Sequence, residues 1–370
     1  SSSASSSSFT SISTARYASG RTAAEANDVP WEKATSATWC IRATARLNSD
    51  LRPLRQALGP DLWRCVQVYY ASLEEEKEVR SLYTPNVAMV IHSAAKGGDW
   101  GEYDEFYRCN ELATQLMVSE AVRLHSKQQE ECLSNRLVRF IHVSTVDVYP
   151  HKVTPADCDE SKVTVSSKNR RYGYTATKAR AEEIVLEAVR EHALPACIVR
   201  PAAVYGAGSY SWGLVEARVM RQGRGFLVNG SRFSSGLVHV RDVAHGVVAA
   251  LDAPLKRVLG RAYNLADPRA DWRTFYDRLA EHLNMPPVRR SFPYWLLYLV
   301  ALLLEFVWRT FSLECRPLIT LFLLRLIGQP QLWPIEAARR DLGWVPREPF
   351  EERLREQCDW LKSTGLYLDD

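Results

Sequence analysis

A tyrosine and a lysine four residues apart carry the clearest chemistry in this sequence. They stand in the segment Tyr174-Thr-Ala-Thr-Lys178. On a helix, this spacing places both side chains on one face, with Cβ atoms about 5–6 Å apart. An ammonium group beside a phenol favours the phenolate and lowers a pKa that otherwise lies near about 10. We therefore expect the pair to exchange a proton with a hydroxyl or carbonyl oxygen. A Tyr and a Lys on a solvated helix face are the alternative.

Two hydroxyl side chains strengthen the first interpretation. Ser144 and Thr145 follow the apolar run at 138–143, which we predict to be a strand. Open α/β sheets bind their ligands at the carboxyl ends of strands, so either hydroxyl is placed to hydrogen-bond a substrate oxygen beside Tyr174. The alternative is local, because Ser and Thr often end strands simply by starting a turn.

The elements that position these residues follow an α/β pattern. Short apolar runs alternate with helical spacing from Trp39 to Pro201, as in a parallel sheet covered by helices. The predicted strands are 40–46, 64–69, 87–92, 138–143 and 196–200, and the predicted helices are 103–124 and 175–190. Beyond Pro201 we predict short strands at 226–228, 237–240 and 263–265 and apolar helices within 293–327. These indicate a smaller C-terminal lobe.

Six motifs follow one another along the chain. They are VIHSAA from Val90, NELAT from Asn110, VSTVDVY from Val143, YTATK from Tyr174, IVRPAAVYGAG from Ile198 and VHVRDVA from Val238. Together, over residues 39 to 362, they resemble the extended short-chain dehydrogenase/reductase superfamily. The resemblance implies a Rossmann-like, doubly wound, mostly parallel sheet and NAD or NADP as the cofactor. We divide the chain into a segment 1–38, a cofactor and catalytic region 39–205 and a mixed C-terminal substrate lobe 206–370.

The resemblance also assigns roles by position. Tyr174 corresponds to the catalytic acid/base, Lys178 to its ribose-binding partner, Thr145 to the catalytic Ser/Thr and Asn110 to a supporting asparagine. The resemblance places Ala94, Ala95, Ser144, Lys178, Pro201, Ala203 and Val204 beside the cofactor. Arg46, discussed below, is a further candidate cofactor-binding residue.

Within the superfamily the chain most resembles the 3-beta-hydroxysteroid dehydrogenase branch, including decarboxylating sterol dehydrogenases. The likeness rests on HSAAK from His92, DWG from Asp99, FPYWLL from Phe292 and AARRDLGWVP from Ala337. It implies NAD(P)-dependent oxidation of the 3-beta-hydroxyl of a steroid or sterol-like substrate. The alternative is a nucleotide-sugar epimerase or dehydratase, which shares the same three catalytic residues: Ser or Thr, Tyr and Lys.

The apolar stretch at 292–304 allows three interpretations. Its 13 residues are too few to span a bilayer comfortably. Together with the apolar run 318–327, we expect it to form a wall for a flat hydrophobic substrate, a face lying in a membrane surface, or a pair of packed core helices. The resemblance also allows a homodimer.

One expected motif is missing from the sequence. The family begins with a strand and a GxxGxxG turn whose amides approach the pyrophosphate, whereas Gly20 is the single glycine before Cys40. We therefore expect the first βα unit to be missing or replaced, which would leave an unpaired strand edge in the sheet. We also expect this chain to bind NAD(H) and NADP(H) negligibly. Two explanations of the missing glycine motif are open. The chain is a truncated gene product, or it is a degenerate family member that acts as a structural or membrane-associated subunit. Arg46 resembles the arginine that receives a 2′-phosphate, and a plain surface arginine is the alternative.

Composition restricts the partners and the compartment. The 47 basic and 43 acidic residues are spread along the chain without a basic block, which argues against nucleic acid. The eight cysteines form no CxxC pair, which argues against a zinc site and for a reducing, intracellular compartment. The serine-rich segment 1–38 contains no acid before Glu25, as in a transit peptide or a disordered tail. The endoplasmic-reticulum membrane and an organelle are the two locations we consider.

Overall fold

The strands of the computed structural model agree closely with the predicted pattern. The structure describes residues 11–16, 39–46, 49–131, 136–150, 153–161, 164–165, 172–313 and 315–368. The strands are β1 Ser11–Arg16, β2 Trp39–Ala45, β3 Val66–Tyr70, β4 Val87–His92, β5 Arg139–Val143, β6 Ala196–Pro201, β7 Val204–Tyr205, β8 Leu227–Val228, β9 Val238–His239, β10 Ala262–Leu265 and β11 Ser291–Phe292. Seven of these described strands form one sheet in the order β10-β6-β5-β4-β1-β2-β3.

The helices cover both faces of this sheet. They are α1 Arg52–Trp63, α2 Glu76–Leu82, α3 Tyr103–Phe106, α4 Ala113–Glu130, α5 Gly173–His192, α6 Glu216–Arg221, α7 Val240–Asp252, α8 Leu255–Val258, α9 Trp272–His282, α10 Tyr294–Thr310, α11 Leu321–Gly328, α12 Glu336–Leu342 and α13 Phe350–Thr364. Phe140 and Ile198 pack on one face with residues of α4 and α5, whereas Ile141 and Val199 pack on the other with residues of α7 and α12. This alternation along β5 and β6 makes the sheet doubly wound, as predicted.

β1 differs from the strand that the motifs led us to expect. It lies between β2 and β4 and runs antiparallel to both, with Ser11 opposite Thr44 and Arg16 opposite Trp39. The first strand is therefore replaced by one from the serine-rich segment, and the expected unpaired edge beside β2 and β4 is wrong because β1 pairs with both strands. The rest of the segment 1–38 lies outside the described residues.

The C-terminal lobe combines short strands with apolar helices. β10 returns to the main sheet and pairs in parallel with β6, while β7 pairs with β9 and β8 with β11. Helix α10 buries Leu297, Ala301 and Glu305 and leaves most of its other apolar side chains exposed. No helix among the described residues is both long and apolar enough to cross a membrane.

Candidate active site

The predicted tyrosine and threonine meet where β5 ends and α5 begins. Tyr174 lies in the first turn of α5, and its phenol is close enough to the Thr145 side chain for that hydroxyl to lower the pKa of the phenol. Thr145 follows β5 and caps the short 3-10 turn Val146–Val148, because its Oγ1 accepts from the Asp147 amide at 3.2 Å. The same hydroxyl donates to Asp147 Oδ2 at 3.1 Å. Two elements thus hold a phenol and a hydroxyl side by side.

The electrostatics of Tyr174 differ from the expectation. Burial raises the pKa of the phenol well above its ordinary value, the Asp147 charge raises it further, and the Thr145 hydrogen bond opposes both. Lys178 instead donates its Nζ to the Val143 carbonyl at 2.7 Å. The expected lowering of the phenol pKa by Lys178 is therefore wrong for this state, because desolvation dominates and the ammonium group faces the end of β5.

Lys178 is a buried cation whose direct hydrogen-bond contacts are neutral groups. Its side chain is 2% exposed, and Nζ lies 3.4 Å from His142 Nε2. Burial lowers its pKa to about 8, against a smaller opposite effect of Glu182. Burial and the Lys178 charge also lower the pKa of His92 to about 3 and that of His142 well below its ordinary value. Both imidazoles are therefore neutral, so that Lys178 carries the charge of this cluster.

Asn110 supports this arrangement from a neighbouring element. It lies in the π-helical segment Tyr107–Leu112 and is 1% exposed. Its Nδ2 donates to the Lys96 carbonyl at 3.0 Å and to Thr177 Oγ1 at 3.1 Å, while its Oδ1 accepts from the Lys96 amide at 2.7 Å. Asn110 thus ties the loop after β4 to α5, and π-helical insertions of this kind are frequent at functional sites.

The residues assigned to the nicotinamide and adenosine lie at one edge of the sheet. Ala94 and Ala95 follow β4, Ser144 follows β5, and Pro201 ends β6 with Ala203 and Val204 just beyond. The carboxyl ends of parallel strands form the crevice where α/β sheets bind ligands. The Ser144 hydroxyl is buried and has no hydrogen-bond partner among the described residues.

Arg46 follows β2 and contacts the π-helical segment. Its Nη2 donates to Cys109 Sγ at 3.2 Å, and Cys109 donates to Glu74 Oε1 at 3.7 Å. Burial raises the pKa of the Cys109 thiol, which the Arg46 charge opposes. Glu74, which follows β3, therefore brings a carboxylate to the same place as Arg46.

Sequence reasoning included the run 318–327 as an apolar wall but missed the charged Arg325 within it. A small cavity is lined by Asp147, Phe322, Arg325, Leu326, Gln331 and Trp333. Burial raises the pKa of the Asp147 carboxyl, and the Arg325 charge and the Thr145 hydrogen bond oppose this. Arg325 is the one charged residue in the apolar run 318–327, and that isolated charge was the available signal.

A mostly parallel sheet with a Thr–Tyr–Lys cluster at its carboxyl edge defines a protein of the short-chain dehydrogenase/reductase class. The chain belongs to the NAD dependent epimerase/dehydratase family, whose model matches residues 31–266. This confirms the predicted superfamily, and a dinucleotide is the cofactor of that family.

Curated relatives include the sterol branch. The chain is 26% identical to 2-alkyl-3-oxoalkanoate reductase of Stenotrophomonas maltophilia, over 73% of this chain and 79% of that protein. It is 27% identical to short-chain dehydrogenase/reductase family 42E member 1 of Xenopus laevis, over 87% and 82%. It is 26% identical to mouse sterol-4-alpha-carboxylate 3-dehydrogenase, decarboxylating, over 72% of each.

Solved structures share the fold. The crystal structure of gox2253 matches with a TM-score of 0.67 at 22% identity, covering 87% of this chain and 90% of that one. UDP-glucuronic acid 4-epimerase from Bacillus cereus in complex with NAD matches with a TM-score of 0.61 at 18% identity, covering 84% of each. At these identities the likeness establishes the fold alone.

The site fits one half of a dinucleotide better than the other. At the nicotinamide end, Lys178 and the unpartnered Ser144 hydroxyl offer donors beside Tyr174. At the pyrophosphate end, a parallel first strand would be followed by a glycine turn. Because β1 is antiparallel, it presents Ser11 at this edge and Arg16 at the other. The residues on either side of β1, 1–10 and 17–38, lie outside the described part of the chain.

Proposed function

We propose that this protein is an NAD(P)-dependent oxidoreductase acting on the 3-beta-hydroxyl of a steroid or sterol-like substrate. The observation that carries the proposal is the approach of Tyr174 to Thr145 at the end of β5, where the buried Lys178 donates to the Val143 carbonyl. When bound, the dinucleotide supplies the hydride acceptor or donor. The apolar helices α10 and α11 of the C-terminal lobe favour a hydrophobic substrate over a sugar diphosphate.

The phenol of Tyr174 is the proton-transferring group in this proposal. Its raised pKa keeps it protonated near neutral pH, so in this state it donates to a substrate carbonyl oxygen. Thr145 donates to Asp147 in this structure and would hold the same substrate oxygen by turning that O–H toward it, while Asn110 fixes α5 so that the phenol stays in place. In the reverse direction Tyr174 accepts the proton of the substrate hydroxyl.

The first test is enzymatic and uses a chimera. A glycine-containing βα unit from an NAD-dependent relative replaces residues 1–38, and the chimera is assayed with 3-beta-hydroxysteroids, UDP-sugars and GDP-sugars. We expect turnover of a steroid and none of the sugars. Tyr174→Phe should abolish turnover and leave cofactor binding nearly intact, whereas Tyr210→Phe, which alters an exposed phenol, should have no effect. Unchanged turnover in Tyr174→Phe would remove that residue from the mechanism.

We also propose that the protein works at an intracellular membrane surface. The exposed side of α10 carries Trp295, Leu303 and Phe306, which are 64, 62 and 67% exposed. Patches of this kind mark interaction sites. Arg289 and Arg290, both exposed, precede this helix and complement anionic headgroups.

Vesicle cosedimentation tests the membrane surface. We expect binding to phosphatidylcholine vesicles that strengthens when phosphatidylserine is added. Phe306→Glu should weaken it, because a charge then enters the apolar face. Leu62→Glu is the matched control, since Leu62 is 61% exposed on α1. If the unaltered protein binds neither kind of vesicle, the membrane proposal is wrong and the enzymatic one is unaffected.

A further inference from the structure

Two buried histidines lie beside Lys178 on neighbouring strands of the main sheet. His92 is the last residue of β4, His142 is the last but one of β5, and the two are paired in the register of these strands. Both side chains are 0% exposed, and their ring centroids lie 5.4 Å apart. Because a buried polar ring is costly without hydrogen bonds, the partners of each ring nitrogen indicate what the histidines do.

The hydrogen bonds of Thr114 determine which nitrogen of His92 carries the ring proton. Thr114 Oγ1 donates to the Asn110 carbonyl at 2.6 Å and lies 2.9 Å from His92 Nε2. Two oxygens approach this closely only with a proton between them, so the single proton of the hydroxyl is used on the carbonyl. His92 Nε2 must therefore donate to Thr114, and in the neutral ring the Nδ1 of His92 has no proton.

Lys178 determines the proton position of His142 in the same way. Lys178 Nζ lies 3.4 Å from His142 Nε2, and a protonated amine offers donors only. A proton on Nε2 would set two N–H groups against each other, so Nε2 accepts and the neutral ring carries its proton on Nδ1. Neither histidine has a hydrogen-bond partner for Nδ1 among the described residues. The two rings thus carry their protons on different nitrogens, each fixed by a contact at Nε2.

We propose that His142 is a positioning residue, which accepts a hydrogen bond from Lys178 and so orients the ammonium group for the cofactor. An ammonium group has three N–H donors. The Val143 carbonyl accepts one at 2.7 Å and His142 Nε2 a second, which leaves the third for a ribose hydroxyl or the phenol of Tyr174. The role of Lys178 rests on the proposed function, and His142 deepens it by fixing the direction of that third donor.

His92 is the support of His142 in this arrangement. Its ring contacts that of His142, and its Nε2 is tied through Thr114 to the Asn110 carbonyl in the π-helical segment. A continuous set of contacts therefore runs from the π-helical segment through two strands to Lys178. Two buried Nδ1 atoms without partners are the cost of this arrangement. Rings that only fill space are the alternative, and the tests below separate the two.

Nitrogen-15 NMR of the histidine-labelled chain without cofactor tests the contact directly, because protonated and unprotonated ring nitrogens resonate apart. At pH 7 we expect the proton of His142 on Nδ1 and that of His92 on Nε2. The signals are assigned with His142→Gln and His92→Gln. The exposed His192, at the end of α5, is the control and should show the averaged signals of a ring that exchanges its proton with water. A proton on His142 Nε2 at pH 7 overturns the proposal.

Two variants of the chimera separate positioning from packing. His142→Leu removes the acceptor and should lower kcat/KM for the cofactor about tenfold, the effect of one hydrogen bond. His142→Gln keeps an acceptor oxygen near the place of Nε2 and should restore most of this loss, whereas His192→Leu should change nothing. Packing alone predicts the opposite order, because leucine suits a buried site better than glutamine. We therefore expect the leucine variant to be the more stable to urea but the less active.

A leucine variant as active as the glutamine variant overturns the positioning role. A chimera without turnover on any substrate would instead contradict the proposed function. The NMR measurement needs neither cofactor nor turnover, so it decides the contact between His142 and Lys178 in either case.

Discussion

At the candidate active site, Lys178 carries a buried positive charge that Glu182 compensates only in part. It donates to the Val143 carbonyl and lies beside His142, which is neutral. Burial lowers its pKa from 10.5 to about 8. The proposed function needs a donor at this place for the ribose and the phenol, and that need would explain the unfavourable burial of Lys178.

The lowered pKa of Lys178 makes the stability of the protein depend on pH. The unfolded chain holds the Lys178 proton up to about pH 10.5 and the folded chain releases it near pH 8, so the free energy of unfolding should rise between these values. Lys178→Met should be more stable than the unaltered protein at pH 7, by about 1–3 kcal/mol. The advantage should shrink above pH 10. Urea denaturation at both pH values measures this, with the exposed Lys77→Met as the control. If the stability difference between Lys178→Met and the unaltered protein grew from pH 8 to 10, the lowered pKa of Lys178 would be contradicted.

The sequence allowed the catalytic cluster to be predicted, but not its charges. Tyr174, Lys178 and Thr145 were found because their spacing is a motif, and the structure brings them to one place. The direction of the Tyr174 pKa was predicted wrongly because burial is not visible in a spacing. Arg325 was overlooked because one charge in an apolar run is typical of a helix end at the surface.

Among the elements, α5 and β6 are joined by a buried ion pair. Arg200 donates to both carboxylate oxygens of Glu182, at 2.9 and 2.6 Å, and neither side chain is more than 4% exposed. Because a buried charge left without its partner is costly, Glu182→Gln should lower the free energy of unfolding by about 3–5 kcal/mol. Glu183→Gln weakens a more exposed pair with Arg180 and should cost about 0.5 kcal/mol or less. Thermal denaturation of both variants compares them, and equal losses would show that the buried pair has no special role.

The start of α5 fits closely against the end of α3. A Cβ on Gly173 would lie 2.6 Å from the Phe106 ring, whose centroid is 6.5 Å from that of Tyr174. Gly173→Ala should therefore displace the first turn of α5 and destabilise the protein by about 1–3 kcal/mol. It should also reduce turnover in the chimera. Gly97→Ala is the control, since a Cβ there meets nothing within 4 Å. Equal unfolding midpoints for the two variants would disprove the tight fit.

Elements with strong periodicity were predicted well. The strand at 87–92 has the predicted bounds, and the predicted helix 103–124 exists but contains the π-helical turn at Tyr107–Leu112. An insertion of this kind leaves no trace in apolar spacing. β1 was not predicted at all, because Ser, Thr and Ala in the segment Ser11–Arg16 give no alternating apolar pattern.

For the whole molecule, the direction of β1 bears on cofactor affinity. Losing two amide hydrogen bonds to the pyrophosphate, each about 1.5–3 kcal/mol, lowers affinity by about two to four powers of ten. We therefore expect the 370-residue chain to bind NAD(H) and NADP(H) only at millimolar concentration or above, with the chimera binding at micromolar concentration. Calorimetric titration decides this. Micromolar binding to the unaltered chain would mean that another segment supplies the phosphate site.

The placement of β1 also has a consequence for the order of assembly during synthesis. Its backbone pairs with β2 and with β4, which ends at His92. β1 is made before β4, and its last residue, Arg16, precedes His92 by 76 positions. The middle of the sheet therefore cannot form until β4 has been made and β1 inserts beside it. Loop closure over such distances slows folding. Amide hydrogen exchange started during refolding should show β5 and β6 protected before β2, because the two halves of the sheet meet only through β1.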